Sequence, residues 1–310
     1  MTRFVSRIKV NPFRWQSLLI LGVLPAAVGC AVPQKPGMGR ALHRVEVVTE
    51  RPYWIYLPPS RDETAERPSP YPHRYPLVVS LHGMRPFDDY GPHIRQWQEE
   101  ADRYGFIVAA PKLKACDLLK PFPIDDPTSK TLQSDEQAIL AIIDEVCRIA
   151  PADPHSVMVT SFSSGGYVAH YMMNRHPDRF SCLAVFQSNF TTKLLEPDQV
   201  SKYRDRTIAI LTSENDLPLV SRESRWAIDW YQDQGFRRLI AQERPEVGHE
   251  RTPEFAAQVF AASVGREAVA IGPQPARQPH RSTQNTHASN QGDLLFTPLA
   301  HDATPRRARP

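Results

Sequence analysis

From about residue 43 onward the chain alternates two patterns: short continuous apolar runs, and longer stretches in which apolar residues recur every three or four positions. "HRVEVVTERPYWIYLPPS" (43–60) predicts two short strands joined by a turn at Glu50–Pro52. Residues 60–76 are charged and Pro-rich, which predicts a loop. "YPLVVSLHG" (75–83) is a buried strand ending in glycine, and "IRQWQEEADRYG" (94–105) has helical spacing with Gly105 as its stop. "FIVAAP" (106–111) is the next strand, followed by an irregular stretch over 112–133. In "SDEQAILAIIDEVCRIAP" (134–151), Ile139, Ile142, Ile143 and Val146 mark a helix, with Ser134 and Gln137 as a capping box and Pro151 as its end. Strand "SVMVTSF", helix "GGYVAHYMMNRHP", strands "SCLAVFQS" and "TIAILTS", helix "SRESRWAIDWYQDQG", strand "RRLIAQERP" and helix "TPEFAAQVFAAS" complete the series.

Strands that alternate with helices predict an α/β fold, with a mostly parallel central sheet covered by helices on both faces. Right-handed crossovers bring the strand-to-helix loops to one edge of that sheet. Those loops begin at His82, Pro111, Ser161, Ser188, Glu214 and Arg244, and chemistry is expected among them.

The two ends of the chain read differently. Arg3, Arg7, Lys9 and Arg14 precede "SLLILGVLPAAVGC", a short apolar run ending in small residues and a cysteine. That is a secretory signal-peptide pattern, too short to read as a membrane span. "AVGC" resembles the bacterial lipoprotein box, which implies cleavage before Cys30 and lipid on its thiol; Ala27 stands where Leu is usual. An ordinary signal peptide with an incidental cysteine is the alternative. With lipidation, the chain is exported and anchored in the bacterial cell envelope, and Ala31 permits passage to the outer membrane; without it, the chain is secreted. Residues 265–310 are polar and rich in Pro, Gln and Asn, without periodicity, and read as a disordered tail. The expected organisation is therefore a leader at 1–29, a linker at 30–42, one domain at 43–264 and the tail.

Composition narrows the function. The 310 residues carry a net charge of +3 with both signs interspersed, so no nucleic-acid footprint is visible. Of the four cysteines, three remain if Cys30 is lipidated, and an odd number cannot pair completely. Cys147 and Cys182 read as small buried hydrophobes. No Cys/His spacing suggests a metal site, and the chemistry proposed below needs no cofactor.

"SFSSG" (161–165), between a strand and a helix, fits the nucleophile-elbow pattern of small residue, any residue, Ser, any residue, Gly. The central side chain stands exposed on a sharp turn, its neighbours are small because two backbones pass close, and the helix start aims N–H groups at the reaction centre. Gly165 sets the register that makes Ser163 central; Ser161 stands where Gly is commonest, and its hydroxyl has no evident role. A Ser-rich turn without catalysis is the plainer alternative. A serine needs a base and the base needs an orienting acid. His249, after Gly248 on the loop following the last strand, is the base expected; His170 and His176 lie along a helix, and His43, His73 and His155 on other edges. Asp216 is favoured over Glu214 as the acid, being deeper in its loop and shorter. The order Ser, Asp, His is the one this architecture uses. "SLHGM" places the Met84 N–H beside the nucleophile, so Met84 and Ser164 are the expected oxyanion donors, with His82 a hydrogen-bonded packing residue. Arg85, Phe87, Lys112, Asn189, Phe190 and Leu217 follow strands on the same edge and are expected to line a substrate site.

"PLVVSLHG", "GFIVAAP", "VMVTSFSSGG", "RHPDRFSCLAVFQS", "ENDLPLV" and "GHE" occur in order over residues 76–262. Together they resemble α/β-hydrolases, most closely the serine esterases that include polyhydroxybutyrate-depolymerase-like and feruloyl- or acetylxylan-esterase-like proteins. The resemblance implies a carboxylic ester hydrolase with Ser163, Asp216 and His249 as its triad, acting on small or polymeric esters such as polysaccharide-linked acyl groups or hydroxyalkanoates. "SEND" replaces the "HGxxD" frequent in that group. Two other readings share the fold: a serine peptidase of the prolyl-oligopeptidase type, and a surface lipoprotein that kept the fold without catalysis.

Overall fold

The computed structural model describes residues 39–59, 74–117 and 124–267. The leader, Cys30 and all but the first residues of the expected tail lie outside them, as does most of the loop at 60–76. Eight strands form one sheet in the order β1-β2-β4-β3-β5-β6-β7-β8. They are β1 (Arg40–Val45), β2 (Pro52–Leu57), β3 (Tyr75–Leu81), β4 (Ile107–Pro111), β5 (Ala152–Ser163), β6 (Cys182–Ser188), β7 (Thr207–Ser213) and β8 (Arg238–Arg244). β1, β2 and β4 pair antiparallel, and β4, β3 and β5 through β8 run parallel, which bears out the mostly parallel sheet. β1 begins three residues before the domain start expected from the sequence.

The central strands are apolar throughout because both of their faces are covered. Alternate residues feed two cores. Leu183 and Val185 of β6, with Leu77 and Val79 of β3, face α2 (Lys130–Ile149), α3 (Gly165–Arg175) and α5 (Pro218–Asp233). Cys182, Ala184 and Phe186 of β6, with Val78, face α1 (Tyr90–Tyr104) and α6 (Pro253–Ser263). The loop between β6 and β7 carries two 3₁₀ turns, Thr192–Leu194 and Pro197–Gln199, and a one-turn helix α4 (Val200–Tyr203), none of which the pattern announced. Among the described residues no helix is long and apolar enough to cross a membrane.

Three helix starts differ from the sequence reading, α1 beginning at Tyr90 and not Ile94. α2 begins at Lys130 after Ser129, so Ser134 and Gln137 form no capping box. Asp135, one turn into the helix, accepts from the Lys114 and Ala115 N–H groups and pairs with Arg51. Ser134 Oγ accepts from Arg51 at 3.0 Å. α5 begins at Pro218, not Ser221, because proline at the first position already has the helical φ and needs no N–H partner there. α1 is closed as expected by Gly105, and opened by Asp89, whose Oδ1 accepts from Tyr90 N–H at 2.9 Å.

Candidate active site

The strand order reverses direction between β3 and β5, the place where ligands bind in open parallel sheets. The ends of those strands meet there. A Cβ added at Gly83, just after β3, would lie 3.0 Å from Ser163 Cβ. Ser163 ends β5 with φ 53°, a left-handed conformation that a non-glycine side chain adopts only under constraint. α3 follows two residues later. A Cβ at Gly165 would come within 2.6 Å of His82 O, and one at Gly166 would overlap Asn189 O, so both positions require glycine. The turn therefore has the shape expected of a nucleophile elbow, with the tight approaches at 165 and 166.

Position 161 is not one of those approaches. Ser161 is fully buried and its Oγ lies 3.1 Å from Ser188 Oγ. The Ser188 hydroxyl is directed at the Ser161 and Phe186 carbonyls, so Ser161 is the donor of the pair. Its hydroxyl ties β5 to β6 just below the turn, which is a role the sequence did not disclose.

On the same edge His249 Nδ1 is 2.6 Å from Asp216 Oδ1. The Asp216 carboxylate is solvent-inaccessible while the imidazole keeps 20% of its surface. Asp216 Oδ1 also accepts from Leu217 N–H at 2.7 Å. Glu214, the competing acid, is exposed and accepts instead from Glu246 N–H. The imidazole packs on Phe162, with ring centroids 4.4 Å apart and planes at 30°, which brings His249 next to the elbow. No hydrogen bond joins Ser163 Oγ to His249 in this structure; such bonds are commonly long until substrate is bound. Among the described residues the N–H groups of Met84 and Ser164, which follow Gly83 and Ser163 in the chain, have no hydrogen-bond partner.

His82 and His170 are sealed. His82 is fully buried: its Nδ1–H donates to Gly83 O at 2.7 Å and its Nε2 accepts from Leu113 N–H at 2.8 Å. Burial pushes its pKa down to about 4. His170 bonds Tyr231 at 2.8 Å, and burial pushes it down to about 3. Cys116 and Cys182 are buried, which raises both thiols; Cys116, Cys147 and Cys182 are all free.

The expected substrate-lining residues divide. Phe87 is 81% exposed and Leu217 52%. Arg85 is half-buried and lies 3.8 Å from Asp89, while Lys112 is half-buried. Asn189 and Phe190 do not line a surface. Asn189 is buried, and its Nδ2 donates to Glu223 at 2.8 Å. Phe190 packs beneath it against His170, Trp226 and Tyr231. A buried carboxylate on α5 draws the Asn189 amide inward, and nothing local in the sequence signals that.

The sequence reading also missed Asp88. Its Oδ2 accepts from Gly83 N–H at 2.6 Å and from His93 Nε2 at 2.9 Å, and its Oδ1 pairs with Arg251, two residues beyond His249. It thereby links the loop bearing Met84 to the loop bearing His249. Burial alone would raise this carboxyl, but His93, the Gly83 N–H and Arg251 outweigh it and hold it well below the usual carboxylate range. Of the two aspartates before α1, only Asp89 caps it. Among the described residues no group of three or more His, Cys, Asp or Glu is placed to hold a metal ion.

Neither a protein-family model nor a curated protein matches the sequence. Solved structures do. The chain is similar to FphF, a fluorophosphonate-binding serine hydrolase of Staphylococcus aureus, with a TM-score of 0.56, 14% identity, and 74% of this chain and 98% of that one covered. It is similar to an S-formylglutathione hydrolase from Agrobacterium tumefaciens, with a TM-score of 0.53, 14% identity and coverage of 76% and 97%. A ferulic acid esterase gives a TM-score of 0.51, 14% identity and coverage of 72% and 94%. At these identities the likeness is one of architecture, and with the sheet order above it identifies the chain as an α/β-hydrolase fold.

Proposed function

We propose that this protein is a serine hydrolase of carboxylic esters. The observation that carries the reading is the left-handed Ser163 at the end of β5, on the same sheet edge as the hydrogen-bonded Asp216–His249 pair. In the reaction Ser163 Oγ attacks the ester carbonyl carbon and its proton passes to His249 Nε2. Asp216 Oδ1, accepting from Nδ1–H, keeps the imidazole in the tautomer that can take that proton and stabilises the imidazolium. The N–H groups of Met84 and Ser164 hold the negative charge that forms on the carbonyl oxygen, each contributing about 3 kcal/mol. The imidazolium then protonates the leaving alcohol, and water, deprotonated by His249, cleaves the acyl-serine.

Phe87 and Leu217 give the loops of this edge exposed apolar surface, which favours an ester with an apolar acyl or alcohol part. The basic, apolar and small-residue leader ending at Cys30 supports export, with lipid anchoring in a bacterial envelope. Hydrolysis of p-nitrophenyl acetate and butyrate by the wild type and by Ser163→Ala tests the reading. Turnover is expected to fall by at least about 10³-fold in the variant, with its thermal unfolding unchanged; equal rates would overturn the assignment.

A further inference from the structure

Gln187 has a backbone φ of 48° and is fully buried, an unusual pairing for a long polar residue. The pairing of β5 with β6 explains the backbone. Phe162 pairs with Phe186 and Ser163 with Ser188, so Gln187 is the extra residue of a bulge, with no partner in β5. A bulge re-aims a side chain, and this one points the amide across the sheet edge toward the loops that carry the acid and the base.

There every strong bond of the amide is made. Nε2 donates to Gly248 O at 2.9 Å and to Ser213 Oγ, and Oε1 accepts from Glu250 N–H. The two bonded peptide groups stand on either side of His249, and Ser213 lies three residues before Asp216. A carbonyl can only accept and a peptide N–H can only donate, so the amide fits in one orientation alone. One planar group thus fixes both shoulders of the His249 loop to the base of the Asp216 loop. It does so from the residue next to Ser188, which pairs with Ser163.

We propose that Gln187 is a positioning residue for the base: it holds the His249 backbone so that the imidazole meets Asp216 on one side and the Ser163 hydroxyl on the other. The inference rests on the reading of His249 as base. No shorter or apolar side chain does the same work: Asn lacks the reach, and Met or Leu would leave the Gly248 carbonyl and the Glu250 N–H without their partner.

The test measures kcat, KM and the pH dependence of kcat/KM on p-nitrophenyl acetate for the wild type, Gln187→Met and Gln187→Glu, with Ser163→Ala and His249→Ala as references. Gln187→Met is expected to lower kcat about 10- to 100-fold, the scale of a small misplacement of a reacting group. KM should stay near the wild-type value, and the apparent pKa of the base should move. Gln187→Glu keeps the shape and the acceptor for Glu250 N–H but turns an oxygen toward Gly248 O. It is expected to show the same kcat loss, and it supplies the readout should the Met variant fold poorly. Folded variants with wild-type kcat would overturn the inference, as would a loss carried by KM with the base pKa unmoved. If Ser163→Ala and His249→Ala also keep the wild-type rate, the triad itself fails and this inference with it. If those two lose activity while Gln187→Met does not, only the inference fails.

Discussion

Ser80, His93 and Asp88 form a hydrogen-bonded chain of the same three residue types as Ser163, His249 and Asp216. The Ser80 hydroxyl lies 2.8 Å from His93 Nδ1 and accepts from Trp97 Nε1 at 3.1 Å, and His93 Nε2 lies 2.9 Å from Asp88. Ser80 and His93 are buried, so no substrate reaches that hydroxyl. Ser80 lies within β3 as an ordinary extended residue, whereas Ser163 is turned out at the strand end by its left-handed backbone. The acids differ too. Asp88 shares its charge with Arg251 and two backbone N–H groups. Among the described residues Asp216 pairs with His249 and forms no ion pair with a Lys or Arg, and its Oδ2 is buried without a hydrogen-bond partner. Residue types alone thus do not distinguish the two sets; the accessibility of the hydroxyl and the partners of the carboxylate do.

The largest expected effect that breaks this symmetry is at Asp216. Asp216→Asn removes the charge that stabilises imidazolium and is expected to lower kcat for p-nitrophenyl esters about 10³- to 10⁴-fold. Steady-state kinetics with fluorophosphonate labelling of Ser163 as a second readout checks it; a change below tenfold would strip Asp216 of its role. Ser80→Ala is expected to act oppositely. It leaves the buried Trp97 N–H without an acceptor and should cost about 1–3 kcal/mol of stability in urea titration. Turnover should change by less than about threefold, because the Ser80 hydroxyl is buried within β3 and bonds His93 and Trp97 rather than a residue of the proposed triad. A loss of turnover matching that of Ser163→Ala would show that the buried set takes part in catalysis.

A third effect separates the sealed imidazoles from the more open one through pH. His82 and His170 titrate near the usual value of 6.5 when unfolded, but only near 4 and 3 when folded. Between those values the unfolded chain binds more protons than the folded one, so stability falls as pH drops from about 6.5 toward 4. The slope approaches about 1.4 kcal/mol per pH unit for each group. Urea midpoints measured from pH 7 to pH 4 read this, and a flat profile would show that neither imidazole is held neutral.

Much of the site was legible because its determinants are local. Ser163 follows from small residues at fixed spacing between a strand and a helix, and both glycines after it are required by close backbone contacts. His249 and Asp216 follow from the order of loops on one sheet edge. The misreadings share a different cause. Asn189 was expected at the surface and is turned inward by Glu223, 34 residues away. Ser134, expected to cap α2, lies inside that helix and bonds Arg51, 83 residues before it. Ser161 had no visible purpose until Ser188, 27 residues on, was placed beside it.

By itself the sequence determined the class of sheet, the sense of its strands, and which serine stands at the turn. Apolar periodicity and glycine spacing act within a few residues, and burial on two faces leaves a continuous apolar run. The tertiary structure decided which acid meets His249, where the Asn189 amide points, and that Asp88 and Gln187 hold the loops around the site. Those outcomes depend on hydrogen bonds between residues tens of positions apart, whose partners exist only once the strands are paired and the sheet edge is assembled.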